Sequence, residues 1–403
     1  MIKKGILGVI LCSMLLPITG CWDAIELNRR AVVAGIGIDE MPGKERYLVS
    51  FQIIIADEIS GKAGRGATPV SIYSARGRSV MEAVRRLSRK VPRLVSTAHT
   101  RVVVISEELA REGISDIVDF LDRDSDIRLT AKIYIVKKGI MAKDVTSALS
   151  PIGKITAYAL AQKAEMTAGE YGANYSVEVD DVIRGMLVPN GGPTINGIEM
   201  QPDETDEARR KSNLEKADSV GLITVSNMAV FKGDQLKDWL NEEESQGLVW
   251  IKNKLKNTSI IINPDGDGDI TLDVRRNKTS TKVKFKDAEH PVIQFNVTAQ
   301  LSVREMDSKI DLRDPQALHG LEGQVNEEII RKMKSAVKKA QSLNSDIFGF
   351  GEAIKRQNPK AWTQLEGKWA DMFPRLEIEY HVDSIVRNSQ MRDRSFKYNM
   401  KEK

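Results

Sequence analysis

Arg101-Val-Val-Val-Ile105-Ser106-Glu107-Glu108 holds a strand, a cap and a helix start within one short stretch. Its β-branched apolar run reads as a strand. Ser106 is suited to cap a helix by accepting a backbone N–H, and Glu107 and Glu108 suit the positive end of that helix. Working outward, Tyr47, Val49, Phe51, Ile53 and Ile55 alternate with polar neighbours, the period of a half-buried strand. Ala31 to Ile38 is a second apolar strand, and Met41-Pro42-Gly43-Lys44 between the two is a turn, which predicts a hairpin. Gly61 to Pro69 reads as a flexible loop. Val80, Ala83, Val84 and Leu87 share one helical face. Ile127 to Val136 gives another strand, with a helix following near Ala142 to Leu149. This alternation predicts an α/β sheet domain over residues 21–200.

Ile155 to Ala164 reads as helix, and Val188 to Pro193 as loop. Residues 201–218 are charged and almost free of large apolar side chains, so they read as a solvated linker between domains. The second half, 219–390, opens with a strand from Gly221 to Phe231. Thr258–Ile262 and Ile270–Val274 flank a Pro/Asp/Gly turn and predict a hairpin. Ile293, Phe295, Val297, Ala299, Leu301 and Val303 alternate without a break. Asp314-Pro315 then starts a helix with a capping side chain and proline in the first turn. Leu318, Leu321, Val325, Ile329, Met333, Val337 and Ala340 form its apolar stripe. A helical stretch around Trp362, Leu365 and Trp369 follows, then a strand through Leu376, Ile378, Tyr380 and Val382. Strands, a long helix and one returning strand predict an α+β domain, its helix packed across a mixed sheet. Residues 391–403 are a polar tail.

The first 20 residues have the pattern of a secretory signal. Lys3 and Lys4 precede the apolar core Gly5 to Leu16, which is too short to span a bilayer. Leu16-Pro-Ile-Thr-Gly20-Cys21 ends it like a bacterial lipobox, making Cys21 the lipidated first residue of the mature chain. Cys12 is lost with the signal, so no internal disulfide is available and a core of about 380 residues must hold the fold. Trp22 directly after the anchor suits the headgroup level. No later segment is apolar for long enough to cross a membrane. The formal charge of +4 falls to +2 without Lys3 and Lys4, far from the one-sided charge of a nucleic-acid binder.

No catalytic constellation stands in the sequence. Asp265, Asp267 and Asp269 alternate like a calcium loop, but Ile270 and Arg276 stand where that loop needs Gly and Glu. Ser335-Ala-Val-Lys338 matches a Ser-x-x-Lys motif but sits inside the amphipathic helix, and its Lys278-Thr279 companion precedes it in the wrong order. Gly77-Arg-Ser79 lacks the second glycine of a nucleophile elbow, and Gly35-Ile-Gly37 lacks the rest of a dinucleotide fingerprint. His99, His290, His319 and His381 have no partner at metal-ligand spacing. Trp250, Trp362 and Trp369 fit core packing better than a binding surface. The expectation is a non-enzyme without cofactor, metal or nucleic acid.

Cys21-Trp-Asp23-Ala-Ile-Glu-Leu27 and Gly35-Ile-Gly37-Ile-Asp39 resemble the mature start of the Ger(x)C lipoproteins, the C subunits of bacterial spore germinant receptors. Similar signatures continue in Ser74–Ser79, Ala98–Glu107, Arg123–Arg128, Gly247-Leu-Val-Trp250, Asp346-Ile-Phe348-Gly-Phe-Gly351 and Pro359-Lys-Ala-Trp362. Residues from about 160 to 215 show little that matches. The resemblance implies a multi-domain α/β and α+β fold and a non-enzymatic subunit anchored by Cys21 at the outer face of the spore inner membrane. Its implied partners are membrane-embedded A and B subunits. Two other classes compete: a solute-binding lipoprotein of an importer, which needs two similar lobes, and a cell-wall hydrolase or transpeptidase, which needs a catalytic constellation.

Overall fold

The computed structural model describes residues 29–60, 66–266, 268–287, 289–308 and 310–387. The signal, Cys21, Trp22, Asp267 and the tail 391–403 therefore lie outside the described residues. Among the described residues, thirteen strands form two sheets.

The strands of the first sheet are β1 (Arg30–Glu40), β2 (Tyr47–Ile54), β3 (Val70–Gly77), β4 (Leu94–Ser96), β5 (Val102–Ser106), β6 (Lys132–Val136), β7 (Thr194–Glu199), β8 (Thr224–Lys232) and β9 (Gln235–Trp239). Their order is β3-β2-β1-β5-β6-β7-β8-β9, with β4 beside the start of β1. β1, β5, β6 and β7 run parallel, flanked by antiparallel strands at both sides. The hairpin predicted from the Met41–Lys44 turn is β1 and β2, with Ile38 opposite Val49.

Helices cover both faces. One face carries α2 (Val80–Ser88), α3 (Glu107–Glu112), α4 (Ser115–Arg123) and α7 (Val179–Met186). The other carries α5 (Ala142–Ser147) and α6 (Thr156–Glu170). The short α1 (Ala56–Ser60) follows β2. The Ser106 hydroxyl accepts from Leu109 N–H, as its position before two glutamates predicted.

The second sheet is β10 (Ser259–Ile262), β11 (Ile270–Phe285), β12 (Pro291–Met306) and β13 (Glu377–Arg387), in that order. β10, β11 and β12 are antiparallel neighbours, whereas β13 returns parallel to β12. The connection carries α10 (Pro315–Ser342), α11 (Phe350–Gln357), α12 (Pro359–Leu365) and α13 (Trp369–Met372). Asp314 caps α10 through Gln316 N–H, and Pro315 occupies its first turn.

Two expectations need correction. The strand at Gly221–Phe231 was assigned to the second domain, yet β8 pairs with β7 and completes the first sheet together with β9. The change of sheet comes after Trp239. Residues 201–218 are mostly exposed, yet they are pinned to the first half instead of forming a free linker. They include the short helix α8 (Thr205–Ala208), and Ala208 and Asn213 are fully buried. The Asn213 amide donates to the Leu149 and Val220 carbonyls and accepts from Val220 N–H, replacing the backbone partners this irregular stretch lacks. Arg209 reaches back to Asp144 at 3.0 Å.

The halves meet through α9 (Glu242–Ile251), which lies between the first sheet and α10. Every residue from Ser245 to Ile251 is buried, so α9 shows no stripe for periodicity to find. One apolar core runs from Ala31 to Val386 through both halves, and a second, smaller one lies between the first sheet and α5 and α6. Gly247 faces α10 so closely that a Cβ would overlap the Lys332 carbonyl. Glu243–Arg331 and Asp238–Lys339 ion pairs flank the contact. Gly247→Ala should therefore force α9 and α10 apart and cost about 2 kcal/mol or more in urea unfolding. Alanine at exposed Gly320, where a Cβ meets nothing, should not destabilise α10.

Candidate functional site

Two buried carboxylates organise the fold, and both stand in the sequence blocks that suggested the family. Asp39 closes β1. Gly35 and Gly37 lie on the same face of that strand, where a Cβ would come within 2.8 Å of Ala157 and 2.9 Å of the Ala142 carbonyl oxygen. Their missing side chains let α5 and α6 lie against the strand. The Asp39 carboxylate then accepts Ala142 N–H at 2.5 Å and Lys143 N–H at 3.0 Å, capping α5 from another element. Burial pushes its pKa up to about 7, opposed by those two hydrogen bonds.

Asp346 lies beyond the end of α10 and is fully buried. Its carboxylate accepts Gly349, Phe350 and Gly351 N–H at 2.8–2.9 Å and Trp369 Nε1–H at 3.2 Å. Burial pushes this carboxyl up, whereas all four donors favour its charged form. With four donors and no acceptor around it, the geometry is built for the carboxylate. Backbone and side chains beside Asp346 reach the first half. Asp346 N–H donates to the Asn190 carbonyl at 2.9 Å, and the Ser345 hydroxyl donates to the Phe231 carbonyl at 2.6 Å. Asn190 and Asn344 join through their side chains at 2.8 Å.

A cleft of about 540 Å³ opens beside Asp39, lined by Glu40, Ser106, Glu108, Ile140 and Met141. It lies at the carboxyl ends of β1 and β5, the usual ligand position in parallel sheets. Two of its polar side chains are already engaged: Ser106 caps α3 and also accepts Glu40 N–H, and Asp39 caps α5. No nucleophile–base pair is present there.

The other candidates are scattered. All four histidines are exposed on separate elements. Among the described residues no group of three His, Cys, Asp or Glu side chains is placed to hold a metal. Asp269 accepts from Asn263 across the β10–β11 turn. Ser335 is half-buried on α10, and Lys338 is exposed. Trp250, Trp362 and Trp369 are all buried, the last two edge-to-face at 5.6 Å. The roles of Asp39 and Asp346 were not assigned from sequence; glycines at alternate positions before Asp39 and just after Asp346 were the available signal.

Residues 23–200 match the family described as "Spore germination protein N-terminal domain", and 226–390 match "Spore germination B3/GerAC like, C-terminal". Spore germination protein KC of Bacillus subtilis is 30% identical, with both chains covered completely. The chain belongs to the Ger(x)C family of spore germination proteins. Another Ger(x)C relative, spore germination protein B3 of Bacillus subtilis, is 22% identical over 93% of this chain and 95% of its own. A crystal structure of the GerBC protein shares the fold, with a TM-score of 0.55 at 18% identity. The likeness covers 88% of this chain and 97% of that one. Asp39 and Asp346 thus organise a Ger(x)C body of mixed α/β architecture with two sheets.

Replacing Asp346 with Asn turns part of an acceptor-only group into a donor facing donors. The change should cost about 3 kcal/mol in denaturant unfolding. Asp39 behaves differently with pH. Its pKa rises from 3.8 to about 7 on folding, so the stability it contributes is complete below about pH 4 and lost as pH rises through about 7. Melting temperatures of the wild type relative to Asp39→Asn should therefore fall across that window; a constant difference would contradict the assignment.

Proposed function

We propose that this chain is the lipid-anchored C subunit of a nutrient germinant receptor, held at the outer face of the spore inner membrane. It assembles there with membrane-embedded A and B subunits and helps couple nutrient binding to germination. The observation that carries the reading is the match to spore germination protein KC along the whole of both chains.

The anchor is Cys21, whose thiol takes a diacylglyceryl group after the lipobox-like Leu16–Gly20 stretch. A second acyl chain comes with the same group, and two chains suffice for stable attachment. Among the described residues no helix is long and apolar enough to cross a membrane, which suits a body reaching the bilayer through its N-terminus. Anchoring raises the effective concentration of the body beside integral membrane partners. A protein acting through contact needs a rigid shape more than reactive groups, and the engaged carboxylates supply rigidity.

Spores carrying Cys21→Ala, with the protein still exported and abundant, should lose it from the membrane fraction and germinate poorly with nutrients. Normal germination with every nutrient would overturn the anchoring role. Recovery of membrane subunits with the tagged wild-type chain from detergent-solubilised spore membranes checks the assembly itself.

A further inference from the structure

The charge of this chain is balanced overall but not along its length. From Ala83 to Ser106 there is no acidic residue, while Arg85, Arg86, Arg89, Lys90, Arg93 and Arg101 all fall within that stretch. The fold spreads these cations along the first sheet: Arg93 comes beside the start of β1, whereas Arg86, Arg89 and Lys90 lie near Glu45 and Arg76, with Lys90 donating to the Ser74 carbonyl. α2 leads through Arg89 and Lys90 to Arg93, and Leu94 of β4 then pairs with Arg30 at the start of β1. Arg101 immediately precedes β5 and donates its backbone N–H to Ala34 of β1.

Arg29, Arg89, Lys90, Arg93 and Arg101 are exposed. Among the described residues, Arg29, Arg30, Arg89 and Arg93 make no ion pair, unlike Arg86, which binds Glu45 and Glu82. Leu94 follows Arg93 with 54% of its surface open. Asp57 and Glu58 of α1, after β2, are acids at the same end, where Glu58 accepts Ala67 N–H, and Glu165 and Glu178 pair with Lys132 at the start of β6. The opposite end of the same strands carries Glu40, Glu108 and Glu112 together with Lys44, Arg46, Arg111 and Lys138. What distinguishes the end where β1 begins is that its cations Arg29, Arg30 and Arg93 carry no ion pair among the described residues.

The tether points the same way. Cys21 precedes Arg29 by only the short stretch 22–28, which spans at most about 28 Å when fully extended. β1 itself, with 11 residues, is about 36 Å long. A lipid on Cys21 thus keeps the start of β1 near the bilayer, and the far end cannot reach it while the strand stands upright. Charges facing the surface within a Debye length of about 8 Å are the ones that act there.

We propose that the end of the first sheet where β1 begins rests on anionic phospholipid headgroups, with Arg29, Arg30 and Arg93 as the contact and Leu94 entering the interface. This rests on the reading of Cys21 as the lipidated residue. It sets which way the body stands on the membrane, with the end where β1 finishes turned away from the bilayer.

The test uses the lipidated full chain on vesicles of phosphatidylcholine, with or without phosphatidylglycerol. Cys21 is blocked by its lipid, so Leu94→Cys or the exposed Lys44→Cys introduces a unique thiol for a fluorophore. Headgroup-level quenchers should dim the label at position 94 several-fold more than at 44 when phosphatidylglycerol is present. Raised salt, or Arg29→Glu with Arg93→Glu, should remove that difference while the chain still floats with the vesicles. Equal quenching at both positions, with flotation intact, overturns the proposal and leaves the anchor standing. A difference that ignores lipid charge also overturns it, and marks the face as a protein-docking surface or a passive result of the tether. Failure to float with either vesicle overturns the lipid reading and this proposal together.

Discussion

One carboxylate holds the second half of this protein in register with the first. Asp346 gathers three backbone N–H groups and an indole N–H at the base of α11, and its own backbone donates to Asn190. A buried acceptor with four donors cannot move without stranding all of them. The aromatic cluster follows from that fixed point: Phe350 stacks on Phe348 and packs near Phe295 of β12, and Trp369 sets the angle of Trp362 and Phe373. Ser345 ties the same turn to β8. The helices that bridge β12 and β13 are thereby oriented against the first sheet as well as the second.

Local features were legible because they depend on near neighbours. Alternation from Ile293 to Val303 marked β12, Asp314-Pro315 marked the start of α10, and the turn at Met41–Lys44 marked the β1–β2 hairpin. Partner choice was not legible. An apolar strand such as β8 carries nothing that names its neighbour, so proximity in the chain suggested the wrong sheet. The charged stretch 201–218 looked like a free linker because its attachment depends on Asn213, a single polar residue serving as backbone partner. α9 escaped notice for the opposite reason, being enclosed on every side.

The two organising carboxylates show a subtler gap. Glycines beside Asp39 and Asp346 were visible, and the blocks containing them carried the family resemblance. What those blocks do was hidden, because a cap supplied from a distant element has no sequence spacing. Gly35 and Gly37 read as an incomplete nucleotide motif, whereas their role is to let α5 and α6 approach β1. A conspicuous acid in this fold receives helix ends instead of performing chemistry.

β13 is the last described element and the parallel partner of β12, reached only after α10 and three shorter helices have been made. Until that strand emerges from the ribosome, the edge of β12 has no partner on that side. The nascent chain must carry this open edge while residues 307–376 are made. Early folding of the first sheet cannot relieve this exposure, since the missing partner is made after the strand it covers. Any premature stop before Glu377 would leave a product with a long unsatisfied strand margin, ready to pair with whatever lies nearby.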